Sequence, residues 1–87
     1  MIEKSMKEWL QQFTIPSFFD EPLPDGLDKA HEYVIASLQR DTTTITMDIP
    51  QEFLIMLEEK LKKSSWTVNE AIVLYLMWSV CMPVRRR

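Results

Sequence analysis

The side chains able to do chemistry in this chain are few and far apart. His31 is the only histidine and Cys81 the only cysteine, so no cluster has metal-ligand spacing and no internal disulfide can form. The one glycine, Gly26, makes no phosphate-cradling loop, and no nucleophile stands at a readable spacing from a base. His31 reads as a partly buried helix residue and Cys81, inside an uncharged run, as inert packing rather than a thiolate. The sequence therefore predicts no enzyme, no metal and no cofactor, and directs attention to binding. What is left to read among the polar side chains is how the acids and bases are placed.

Those bases are unevenly set. Residues 1–41 hold eight acids and four bases, net −4, whereas residues 42–87 hold five acids and six bases, net +1. An acidic first half does not attract nucleic acid, so any such contact is expected from the second half. The first residues mix Glu3, Lys4, Lys7 and Glu8 among apolar ones, unlike a secretory signal, and a cytoplasmic location is expected. The longest uncharged stretch, residues 71–84, is 14 long, short of the roughly 18 to 20 a membrane helix needs. No membrane span is predicted.

These features need elements to hold them. Ile2, Met6, Trp9, Leu10 and Phe13 recur at helical spacing and predict a short amphipathic helix. Pro16, Pro22 and Pro24 then exclude helix, leaving an ordered loop that carries Phe18, Phe19, Asp20 and Glu21. The two phenylalanines either cap the core or, with the adjacent acids, present a peptide to a protein partner. Asp25 or Asp28 can cap a second helix to about Gln39, striped by Leu27, Ala30, Val34 and Leu38. Residues 42–49 switch to a period of two and are rich in β-branched side chains, which predicts one half-buried strand ended by Pro50. A third helix follows over residues 51–63, with Phe53, Leu54, Leu57 and Leu61 on one side. Thr67 and Glu70 have capping-box spacing, so a fourth helix should begin at Val68.

The fourth helix has no charged residue over residues 71–82. A helix apolar all round must be covered all round, and one small chain leaves part of it wet. A lone strand likewise lacks a hydrogen-bonding partner. Both deficits predict a homodimer.

Ile45-Thr46-Met47-Asp48-Ile49-Pro50-Gln51-Glu52, a helix, and then Ser65-Trp66-Thr67-Val68-Asn69-Glu70-Ala71-Ile72 resemble the ribbon-helix-helix proteins, the group of Arc-, MetJ- and CopG-like repressors and many antitoxins. The resemblance covers the second half of the chain only. It implies a mainly α fold with one short β-strand: a ribbon-helix-helix dimerisation domain over residues 42–84 whose strands pair between chains into an antiparallel ribbon. An acidic helical extension over residues 1–41 precedes it, and a basic tail over residues 85–87 follows.

The resemblance further implies a DNA-binding transcription regulator that puts the ribbon into the major groove of double-stranded DNA. Thr44, Thr46 and Asp48 would face bases, while Ile45, Met47, Ile49, Phe53, Leu57, Ile72 and Leu76 form the dimer core. The N–H groups around Trp66, Thr67 and Val68 would hold a phosphate, with Arg40, Lys62, Lys63 and the terminal Arg85, Arg86 and Arg87 as further phosphate contacts. The reading face departs from that pattern, because it has no Arg, Lys, Asn or Gln for bidentate base contacts. The rival expectation is a non-enzymatic interaction module on the same dimer scaffold, with Phe18, Phe19, Asp20 and Glu21 binding a protein partner.

Overall fold

A capping box starts the helix around which the rest is arranged. Thr67 Oγ1 accepts from the Glu70 N–H at 3.2 Å, and Glu70 Oε1 accepts from the Thr67 N–H at 2.9 Å. The computed structural model describes residues 2–82, in which α1 (Lys4–Leu10), a 3-10 turn (Ile15–Phe19), α2 (Leu27–Leu38), α3 (Gln51–Leu61) and α4 (Val68–Cys81) follow in order. α1, α2 and α3 all pack against α4. Its Ala71, Leu74 and Cys81 are buried among Met6 and Leu10 of α1, Leu27, Ala30 and Val34 of α2, and Leu61 of α3.

The proline-rich connection is where the two halves are joined. Pro16 in the first turn of the 3-10 helix suits its fixed φ, and the Ser17 N–H and hydroxyl both donate to the Thr14 carbonyl. That turn drives Phe18 and Phe19 inward. Ring contacts then run without a break from Phe13 and Trp9 through Phe18 and Tyr75 to Phe19 and Trp66, with centroids 4.6 to 6.1 Å apart. Each such contact adds about 0.5–1.5 kcal/mol beyond its area. Three side-chain donors tie the same region to distant backbone: Trp9 Nε1 to Asp25 O, Trp78 Nε1 to Phe13 O, and Gln11 Nε2 to Cys81 O. The first 41 residues therefore share one core with the rest.

Neither Asp25 nor Asp28 caps α2. Its N-cap is Gly26, at φ 89, with no side-chain cap. Glycine is required there twice over, since the left-handed backbone excludes most side chains and a Cβ would sit 2.7 Å from Trp9 Nε1.

The strand is the larger correction. The described residues are helical and irregular and contain no strand or sheet, so the ribbon-helix-helix fold expected from the resemblance is overturned. Residues 42–49 form an irregular connection from α2 to α3, and every one of them is exposed. Alternation and β-branching favour extended backbone, but a strand exists only with a neighbour to take its N–H and C=O groups. Among the described residues no second segment lies beside this one as a strand. The alternation consequently sorts nothing: Ile45 is 68% exposed, and Met47 and Ile49 are open beside Thr44, Thr46 and Asp48. Pro50 is the N-cap of α3, which runs to Leu61 and buries Leu61 alone, with Leu54 and Leu57 half-buried and Phe53 exposed. The basic tail, residues 85–87, lies outside the described residues.

Core and surface are separable by truncation. Phe18→Ala should lower the unfolding free energy by about 3–5 kcal/mol, while Ile15→Ala, three residues earlier and half exposed, should change it by no more than about 0.5 kcal/mol. Urea denaturation followed by tryptophan fluorescence measures both.

Candidate functional site

Two places bring unlike residues together. The first is a polar node at the start of α4. His31, on α2, stacks on the Trp66 indole with centroids 4.3 Å apart and planes 20° apart. Its Nε2 lies 2.7 Å from Glu70 Oε1, and its Nδ1 lies 3.5 Å from Ser65 Oγ. Because a carboxylate only accepts, the hydrogen shared with Glu70 sits on Nε2. The connectivity is that of a hydroxyl, an imidazole and a carboxylate.

Its surroundings, however, are structural. The Ser65 contact is at the limit of a hydrogen bond. Glu70 Oε1 already serves the Thr67 N–H, and the Trp66 N–H is taken by Ser64 Oγ, so neither backbone donor is free to stabilise a developing oxyanion. The Thr67 N–H and then the His31 ring hold the Glu70 carboxyl below its ordinary 4.5, against an opposing contribution from burial. The node latches α2 to the N-terminus of α4.

The same geometry bears on phosphate binding at Trp66, Thr67 and Val68. Trp66 is buried, two of the N–H groups at this turn are spent, and the positive end of the helix already faces the Glu70 carboxylate. Lys62 borders a hollow with Ile55, Glu58 and Glu59, Lys63 Nζ stands 3.6 Å from Glu21 Oε1, and Arg40 is exposed at the end of α2. None of these bases lines the groove that Thr44 and Thr46 line. Phe18 and Phe19 belong to the core, which decides against an exposed aromatic peptide, and Asp20 pairs with Lys60 as Glu21 does with Lys63.

The second place is a groove of about 510 Å³ between residues 42–49 and the outer side of α4. Thr44, Ile45, Thr46, Met47 and Ile49 form one wall, Ile72, Val73 and Leu76 the floor, and Leu38 and Asn69 close it. Ile72, Leu76 and Val80 make a single i, i+4 row on α4, with Leu76 50% and Val80 78% exposed. No lining residue is charged. Of the residues assigned to a dimer core, Ile45, Met47, Ile49, Phe53 and Leu76 are exposed, and Leu57 and Ile72 are half-buried. Val73 and Val80 were not marked by the sequence, because which side of an all-apolar helix stays open depends on where its neighbours sit. The His31–Glu70 contact has no local signal in the sequence, because the two residues are 39 positions apart.

Among the described residues no group of three or more His, Cys, Asp or Glu side chains could hold a metal ion, and no helix is long and apolar enough to cross a membrane. Neither family models, nor curated proteins, nor solved structures give a match to this chain.

The latch titrates. A folded-state Glu70 value below the ordinary one means that its stabilisation is present above about pH 4.5 and lost as pH falls through the folded value. Glu70→Gln should therefore flatten the acid limb of a stability-against-pH profile, and Thr67→Ala should cost about 1 kcal/mol at neutral pH. Thermal melts between about pH 3 and 7 report both.

Proposed function

We propose that this chain is a non-enzymatic protein-interaction module that docks its partner in the groove between α4 and residues 42–49. One observation carries the reading: Ile72 and Leu76 of the 14-residue α4 line one groove with the equally apolar Ile45 and Met47, and Val80, next in the same row, is 78% exposed. Contiguous open apolar surface of this kind, on an otherwise charged small protein, is a mark of an association site. An uncharged lining gives no grip on phosphate, and groove reading by a β-ribbon has no ribbon to rest on, so recognition of DNA is not carried forward from the resemblance.

The docking surface also moves. Of the two readings of Phe18, Phe19, Asp20 and Glu21, core capping or a partner peptide, the phenylalanines follow the first, and the acids pair with Lys60 of α3 and with Lys63 just beyond it. The groove lies instead on the far side of α4 from the face that α1, α2 and α3 cover.

A photoreactive amino acid placed at Leu76, in the full chain within the cells that make it, should yield one discrete protein adduct. The same group at Ile55, beside Glu58 and Glu59, should yield none. Absence of any adduct at Leu76 would overturn the docking reading.

A further inference from the structure

Resting on that docking reading, we infer that the occupant of the groove is a second copy of this chain, seated so that the two α4 helices cross face to face. The first argument is electrostatic. In a two-fold pairing a patch meets itself, so any patch of one sign would repel its own copy. Here the twelve groove residues include no charged side chain, and Asp48, the one charge within residues 42–49, does not line it. The groove offers nothing to select an acidic or basic peptide. A neutral apolar helix face fits it, and the floor of the groove is such a face.

Shape supports the same partner. Ile72, Leu76 and Val80 form an i±4 ridge with Val73 beside it. Two such ridges interdigitate when helices cross at about 50°. Each copy's Ile45 and Met47 then lie over the end of the other's α4.

Size is the third argument. Ile45, Met47, Leu76 and Val80 are 68%, 55%, 50% and 78% exposed, open apolar surface of the kind that a standard stable interface of about 800 Å² per partner buries. A second copy brings the same open row, so one pairing covers both.

Sedimentation of the purified full chain between about 1 and 100 µM spans the dissociation constants expected of an interface this size. The expected result is a species of twice the 10.3 kDa chain mass. Leu76→Glu with Val80→Glu should weaken association at least about a hundredfold, with helix content by circular dichroism unchanged; Leu76→Ser, milder for folding, should weaken it about tenfold. Ile55→Glu, on the flank of α3 that borders Glu58 and Glu59, should leave it intact. Sedimentation as a single chain throughout overturns the second-copy inference. If the photo-adduct at Leu76 then has a mass other than two chains, docking stands with a different partner; if there is no adduct either, both readings fall.

Discussion

The constraint on which this molecule depends is that α4 carries no charge around its circumference from Ala71 to Cys81. Such a helix has no side that water tolerates cheaply, so every element of the chain is organised by how much of it can be covered. α1, α2 and the end of α3 cover the side of Ala71, Leu74 and Cys81. Among the described residues no further helix covers Leu76 and Val80, which stay 50% and 78% exposed. The groove is what remains of an apolar cylinder after a small chain has spent its helices on the other side.

That coverage needs the N-terminal helix to be brought across, and the aromatic side chains do this. α1 has only 7 residues, too few to hold its shape alone in water. Trp9 and Phe13 of this region meet Phe18, which the 3-10 turn aims inward, and Phe18 meets Tyr75 on α4. The Tyr75 phenol is pushed above its ordinary 10.0 by burial first and the Asp20 charge second, so it stays neutral in that contact. Indole N–H groups of Trp9 and Trp78 find carbonyl partners, which lets large aromatics be buried without an unpaired donor.

The polar node has the opposite character. His31, Ser65 and Glu70 have the side-chain types of a nucleophilic triad, yet each is already committed to joining α2, the α3–α4 turn and the helix cap. A carboxylate at a helix N-terminus is stabilised by the exposed N–H groups and the dipole, and the imidazole adds a second partner. Residues of these types are gathered here where packing joins two helices and a turn, with the Trp66 and Thr67 N–H groups given to Ser64 and Glu70.

Much of the local structure was legible in the sequence because its causes are local. Capping of α4 by Thr67 and Glu70, the break in α-helix at Pro16, Pro22 and Pro24, and the wet remainder of an uncharged helix all follow from residues a few positions apart or from one helix's circumference, although Pro16 heads a 3-10 helix where a loop was expected. The strand failed for a reason of another kind: periodicity over residues 42–49 describes what a segment could pair with, and pairing is a property of two segments. Likewise, Gly26 rather than an aspartate begins α2 because Trp9, 17 positions away, occupies the space. Only the tertiary structure could decide that Phe18 and Phe19 are core, that His31 meets Glu70, and that the open side of α4 is the one bearing Leu76 and Val80, since each depends on contacts between residues far apart in the chain.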